Sequence, residues 1–148
     1  MNKKPRYIRA VLFDFDGTLT RPESLDLNVI KRRIGCPEDS YLLEYIETLP
    51  SADERQKALA AVDRFELAAA AEAKPNDGAE ELVRRLHNVG VRLGIVTRNS
   101  HQSVTRALRN FKRIDVADFD IIVSRDEPVD PKPSGDGIQL AARRLNVA

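Results

Sequence analysis

The sequence has little cysteine, little excess charge and no long run of hydrophobic residues. Cys36 is its single cysteine, which excludes an internal disulfide and fits a reducing cytoplasm. With 24 basic and 23 acidic residues, the net charge of +1 gives no basis for bulk attraction to nucleic acid or to a membrane. Lys3, Lys4 and Arg6 make a basic N-terminus, but the apolar stretch before Asp14 is too short for a signal peptide or a membrane span.

Internal repeats and low-complexity segments are absent as well, which excludes solenoid and fibrous architectures. A chain of 148 residues with 42% hydrophobic and 32% charged residues fits one folded domain with a small insert. The composition therefore indicates no class of binding partner, and evidence for function must come from a local site.

Strand patterns alternate with helical patterns along the chain, with strands predicted at 7–13, 91–97 and 119–124. Four consecutive apolar residues in the first strand favour a strand covered on both faces, as in a parallel sheet. The pattern predicts an α/β fold with a Rossmann-like parallel sheet flanked by helices. Residues 1–20 and 75–148 would form this core, and Asp77 is expected to cap the first helix after residue 75.

Residues 21–74 show helical rather than strand periodicity and predict a small helical insert of three helices. Gly35 and Pro50 end the first two helices, and Ser51 with Glu54 forms a capping-box pattern that begins the third. The apolar stripe predicted for the third helix consists of Leu59, Val62, Phe65 and Ala69.

The segment AVLFDFDGTLT at residues 10–20 carries the clearest sign of chemistry. Side chains two apart on an extended chain point the same way, so Asp14 and Asp16 should face one spot. An acidic surface turn is the alternative, but a pair of acids that follows an apolar strand and precedes Gly17 favours an active site.

Further polar residues follow the other two strands, where an open parallel sheet binds its ligands. Thr97 lies at the end of the second predicted strand, and Lys132 lies in the loop after the third. Two acids, a hydroxyl and an ammonium suit phosphoryl transfer, with Mg²⁺ and positive groups to offset the negative charge of a phosphate. Arg98 and Asn99 could donate to that phosphate, while Ser100 is expected to cap the next helix.

These residues resemble the motifs of the haloacid dehalogenase superfamily, in its phosphoglycolate phosphatase-like branch. The similarity rests on DFDGTLT, on IVTRNS at residues 95–100 and on DPKPSGDG at residues 130–137. It implies that Asp14 is the nucleophile, that Asp16 is the general acid and base, and that Thr97 binds phosphate. It also implies that Lys132 neutralises charge beside Asp14.

The same resemblance implies Mg²⁺ bound by Asp14 and by the main-chain carbonyl of Asp16. Gly17 and Thr18 would begin a mobile flap, and the insert 21–74 would be a cap. Members that cleave carbon–halogen or carbon–phosphorus bonds lack an acid at the position of Asp16, which disfavours those substrates.

One departure concerns the end of the chain. Family members have a fourth strand that ends in Gly-Asp and supplies a further metal-binding acid, whereas this sequence ends with Leu-Asn-Val-Ala. We therefore expect a shortened chain with weakened turnover. Without that strand the first strand would lie at an open edge, where self-association is a hazard.

Mg²⁺-dependent hydrolysis of a small phosphorylated metabolite through an aspartyl-phosphate is the expected function. A phosphomutase of the same superfamily is an alternative, which would form an isomer without releasing phosphate. A non-catalytic phosphate-binding or interaction module is the third possibility. Substrate identity and oligomeric state stay open.

Overall fold

The computed structural model describes residues 7–147, so the basic residues Lys3, Lys4 and Arg6 lie outside the described range. Strands alternate with helices, as predicted. Two short 3-10 turns lie in the connections that precede the first helix and the third strand. No helix in residues 7–147 is both long enough and apolar enough to cross a bilayer. In chain order the elements are β1 (Ala10–Phe13), α1 (Leu27–Ile34), α2 (Leu42–Glu47), α3 (Ala52–Glu72), α4 (Ala79–Asn88), β2 (Arg92–Val96), α5 (His101–Leu108), β3 (Ile121–Val123) and α6 (Asp136–Arg144).

The three strands form one parallel sheet in the order β1-β2-β3, which confirms the predicted α/β class. Phe13 is in register with Ile95, and Val96 with Val123. The strands therefore end almost level, and the residues that follow them emerge at one edge of the sheet.

Each strand is shorter than predicted. The first strand is predicted at 7–13 but spans only Ala10–Phe13, because β2 begins at Arg92, opposite Ala10. Tyr7 and Ile8 therefore have no strand beside them in the described part of the chain, and their side chains are exposed. Strand length here depends on the partner strand, which local sequence does not encode.

Helices cover both faces of the sheet, two on one face and one on the other. The main core packs α4 and α5 against one face through Val83, Val104 and Leu108. On the opposite face Val96 and Val123 pack with Ala141 of α6. The strands are thus covered on both sides, as their apolar runs predict.

The helical insert leaves and rejoins the core at one place. Thr20 and Pro75 form an antiparallel bridge, and the Arg21 N–H donates to the Lys74 carbonyl over 3.0 Å. Helices α1 to α3 share a separate small core. At the start of α3, Ser51 and Glu54 form the predicted capping box. The boundaries 21–74 stay a prediction.

The predicted cap of α4 is wrong. Helix α4 has Gly78 at its N-cap position, with φ +78°, and no side chain bonds there. The Asp77 carboxylate instead pairs with Arg21 at 3.0 Å. The left-handed glycine turns the chain between Asp77 and the helix, and the nearby arginine gives the acid a partner of opposite charge.

Candidate active site

Asp14 and Asp16 flank a residue that anchors the end of β1. The Phe15 side chain is 1% exposed and lies in the main core. Because side chains alternate in extended chain, its burial turns both flanking acids away from the core. The two carboxylates belong to one cleft, as the spacing predicts.

A tight turn follows the acids. The Phe15 carbonyl accepts hydrogen bonds from the N–H groups of Thr18, Leu19 and Thr20 over 2.9 to 3.2 Å. Gly17 adopts φ +72°, which side chains with a Cβ rarely tolerate, and its N–H donates to Thr20 Oγ1 over 3.3 Å. This confirms the predicted role of Gly17 in the turn, whereas the mobility of Gly17 and Thr18 as a flap stays a prediction.

Lys132 and Asp14 meet across the cleft although 118 positions separate them in sequence. The Lys132 ammonium donates to Asp14 Oδ1 over 2.6 Å, and the Phe15 N–H donates to the same oxygen over 2.8 Å. The Asp14 side chain stays 49% exposed. Its carboxylate is thus oriented from two sides and still open to a ligand.

Asp16 has a more enclosed environment than Asp14. Burial raises the pKa of Asp16 to about 6, and the negative charges of Glu66 and Asp14 act in the same direction. The Asn99 side-chain amide and the Lys132 ammonium oppose this rise in pKa. Asp16 can therefore hold or release a proton near neutral pH, as a general acid and base must.

The segment after β2 forms a loop beside the acids. Thr97 and Asn99 are buried, and the Asn99 N–H donates to Thr97 Oγ1 over 3.2 Å. The Thr97 N–H continues the sheet by donating to the Val123 carbonyl over 2.9 Å. Ser100 then caps α5 by accepting from the Ser103 N–H, as predicted.

These residues line a single cleft of about 210 Å³ between the sheet and the helical insert. Four leucines from residues 21–74 supply its apolar lining. Its polar lining consists of Asp14, Asp16, Glu66, Thr97, Arg98, Asn99 and Lys132. Of the sequence-predicted site residues, Gly17 and Thr18 are the two that do not line it.

Arg98 is engaged by the insert rather than free in the cleft. Its guanidinium pairs with both carboxylate oxygens of Glu44, at 3.0 and 2.5 Å, and also donates to the Lys132 carbonyl. It lies 5.2 Å from the ring centroid of Tyr41, within cation–π range. Arg98 thus ties α2 to the loop, and its predicted contact with substrate stays a prediction.

Two site residues were missed from the sequence, Glu66 of α3 and Arg125 after β3. Glu66 is 4% exposed, and its Oε1 accepts from Arg125 over 2.7 Å. Burial raises the pKa of Glu66 although Arg125 opposes this rise. Arg125 also pairs with Asp63 and donates to the Arg98 carbonyl.

The missed signal lies in the periodicity of α3. The stripe predicted at Leu59, Val62, Phe65 and Ala69 is correct only in part: Val62 is buried and Phe65 packs partly buried against the core of the insert, whereas Leu59 is exposed. The buried row lies four residues apart and includes an acid: Ala58, Val62, Glu66 and Ala70. An acid in such a row needs a buried cation as partner, and the structure identifies that cation as Arg125.

The donor set suits a hard cation only in part. The Asp14 carboxylate and the main-chain carbonyl of Asp16 are oxygens of the kind Mg²⁺ prefers, and no donor in residues 7–147 bonds that carbonyl. The same residues contain no group of three or more acidic, histidine or cysteine side chains placed to hold a metal.

Sequence comparison finds similarity to a protein named as a hydrolase and to one named as a phosphatase. It is 32% identical over 144 residues to an uncharacterized hydrolase of Saccharomyces cerevisiae, covering 96% of this chain and 65% of that protein. It is 30% identical over 156 residues to the validoxylamine A 7'-phosphate phosphatase of Streptomyces hygroscopicus, covering 94% and 72%. The chain thus spans about two thirds of the length of these relatives.

Solved structures share the fold. CbbY from Rhodobacter sphaeroides, in complex with phosphate, matches with a TM-score of 0.68 and 26% identity over 95% of this chain and 74% of its own. A haloacid dehalogenase-like family protein of Streptococcus pneumoniae matches with a TM-score of 0.66 and 21% identity, covering 95% and 71%. The sequence model of the haloacid dehalogenase-like hydrolases matches residues 8–148. The chain therefore belongs to the haloacid dehalogenase-like hydrolase family.

Proposed function

We propose that the chain carries the catalytic centre of a Mg²⁺-dependent phosphatase that hydrolyses a small phosphate monoester through an aspartyl-phosphate. The observation that carries this proposal is the 2.6 Å contact between Lys132 and the half-exposed Asp14, with Asp16 and Thr97 in the same cleft. A nucleophile, an acid–base group and a positive charge are the parts that this reaction needs.

In the first step an Asp14 oxygen attacks phosphorus and the phosphorus–oxygen bond of the ester breaks. The departing alkoxide takes the proton held by Asp16. In the second step a water loses its proton to Asp16 and attacks the phosphorus. The bond to Asp14 then breaks, which releases inorganic phosphate and restores both carboxyl groups.

The other residues of the cleft orient and neutralise the phosphate. Lys132 offsets the charge of Asp14, while the Thr97 hydroxyl and the Asn99 amide offer donors to the phosphate oxygens. Asp14 and the Asp16 carbonyl would hold Mg²⁺, which when bound reduces the repulsion between the carboxylates and the dianionic ester.

The remainder of the substrate has an adjoining space. A groove of about 530 Å³ shares Leu43, Thr97 and Lys132 with the cleft and extends between α2, α3 and the loop after β3. Its volume fits the leaving group of a small metabolite. A phosphorylated substrate is in keeping with the name of the Streptomyces relative, a phosphatase.

The test is phosphate release from p-nitrophenyl phosphate and a panel of sugar phosphates, with Mg²⁺ or with a chelator. We expect release that the chelator abolishes, and loss of at least about a thousandfold for Asp14→Asn, because the amide cannot attack phosphorus. Asp77→Asn, a matched change at a 90% exposed carboxylate, should leave the rate unchanged.

Activity of Asp14→Asn equal to that of the wild type would contradict the proposal. Isomerised sugar phosphate without free phosphate would instead identify the phosphomutase. Binding of phosphate esters without any conversion would favour the third possibility, a non-catalytic phosphate-binding module. The cytoplasmic location expected from the single cysteine stays a prediction.

A further inference from the structure

We infer that the buried ion pair Glu66–Arg125 is a positioning device that holds the loop 97–100 in its phosphate-binding conformation. Glu66 lies on α3 of the helical insert, and Arg125 follows β3 of the sheet. The inference rests on the proposed function, because it assigns the loop the task of binding phosphate.

Hydrogen bonds join the pair to consecutive residues of the loop. The Ser100 N–H donates to Glu66 Oε2 over 3.4 Å, and the Arg125 guanidinium donates to the Arg98 carbonyl over 3.1 Å. The Arg125 main-chain N–H donates to the Asn99 carbonyl over 3.1 Å. Three successive residues are therefore restrained by one pair of side chains and its backbone.

The pair is itself firmly held. Glu66 Oε1 accepts from Arg125 Nη1 over 2.7 Å, and Asp63 accepts from Arg125 Nη2. The Arg125 side chain is only 11% exposed and that of Glu66 only 4%. Each buried charge needs the other, because either one alone would be desolvated without a partner. Their pairing therefore fixes the positions of both side chains and of the loop atoms that they bond.

Glu66 lines the cleft and Arg125 lines the adjoining groove, but the polar atoms of both side chains are bonded to each other and to the loop. The Arg125 guanidinium is engaged by Glu66, Asp63 and the Arg98 carbonyl, and it does not line the cleft with Asp14 and Lys132. Its contacts reach the backbone of the loop, whereas Thr97 and Asn99 present their side chains to the cleft. The pair acts on phosphate through the loop.

The experiment measures the affinity of the full chain for inorganic phosphate, by calorimetric titration with Mg²⁺ present. Glu66→Gln and Arg125→Lys keep the approximate size of each side chain but weaken the pair. We expect each variant to raise the phosphate dissociation constant at least about tenfold at a temperature where it stays folded, since a small displacement of positioning groups is costly.

Arg144→Lys is the matched control. Arg144 also makes two hydrogen bonds to a glutamate, Glu127, at 2.8 and 2.9 Å, but this pair lies on the surface and bonds no residue of the loop. Its phosphate affinity should equal that of the wild type. A purely structural role for Glu66 and Arg125 would lower the melting temperature and leave phosphate affinity unchanged, which would overturn the inference.

Failure of the proposed function looks different. A wild-type chain that binds no phosphate would overturn both proposals, whereas wild-type binding with unaffected variants would overturn only the positioning role. If a variant does not fold, amide exchange of the wild-type chain decides. We expect the Ser100 and Arg125 amides to exchange slowly and still more slowly with phosphate, and rapid exchange or no response to phosphate would count against the inference.

Discussion

At the scale of single residues, the two acids of the site differ in environment rather than in chemistry. Asp14 is half exposed and bonded to an ammonium, whereas Asp16 is more enclosed and has a pKa raised to about 6. Such a difference separates a carboxylate that can attack from a carboxyl that can deliver a proton. The proposed division of roles thus follows from placement.

The raised pKa of Asp16 predicts a pH-dependent stability. Folded chains bind the Asp16 proton more tightly than unfolded chains do. The stability that this tighter binding contributes is complete below the unfolded pKa of 3.8 and is lost as pH rises through the folded pKa of about 6. In metal-free buffer, Asp16→Asn should therefore gain about 2 kcal/mol in the free energy of unfolding at pH 8, and less near pH 4.

Urea denaturation at several pH values, with a chelator, measures this difference. Asp77→Asn serves as the control, because an exposed acid gains nothing comparable from neutralisation. An Asp16→Asn gain that is the same at pH 4 and pH 8 would contradict the burial of this carboxyl.

At the scale of elements, β2 is the central strand, and Gly94 lies between its neighbours. Gly94 is in register with Leu12 of β1 and with Ile121 of β3. A Cβ on Gly94 would lie 2.7 Å from Leu12 Cδ2 and 2.8 Å from Ile121 Cγ2. The larger side chains of the flanking strands already fill the place where a β2 side chain would stand.

Gly94→Ala should accordingly destabilise the fold by about 1 to 3 kcal/mol, because overpacking forces the sheet or its side chains to shift. Gly135→Ala is the matched control: Gly135 has φ −79°, and its nearest added contact is Gln139 at 3.9 Å. Thermal unfolding of both variants checks the prediction. Equal melting temperatures for the two would refute the close packing around Gly94.

At the scale of the whole molecule, side-chain bridges tie the insert to the sheet, and β1 lies at one of the two edges of that sheet. Glu44 and Glu66 of the insert bind Arg98 and Arg125 of the core. Within residues 7–147, β1 pairs with β2 alone, so its other edge has no strand partner. Unpaired edges of apolar strands recruit further strands.

We therefore expect concentration-dependent self-association of this chain through β1. Ala10→Lys would place a charge on that edge and should shift the sedimentation profile toward the monomer, as lysines on natural edge strands do. Ala68→Lys, on the exposed surface of α3, should not. Monomeric behaviour of the wild type across the accessible concentration range would show that the edge does not associate.

Much of the site could be predicted, because it depends on residue spacing and on the alternation of elements along the chain. The spacing of Asp14 and Asp16 after an apolar strand predicts their common direction, and strand alternation predicts that Thr97 and Lys132 reach the same edge. The lengths of the strands could not be predicted, since each depends on the register of its neighbour.

The sequence by itself determined the alternation of strands and helices, the acid pair and the turn at Gly17, because periodicity and backbone preference act between residues close in the chain. Only the tertiary structure decided that Arg98 pairs with Glu44 and that Glu66 meets Arg125. Those partners lie 54 and 59 positions apart. Their pairing depends on how the insert packs over the sheet, where burial makes each charge require a partner.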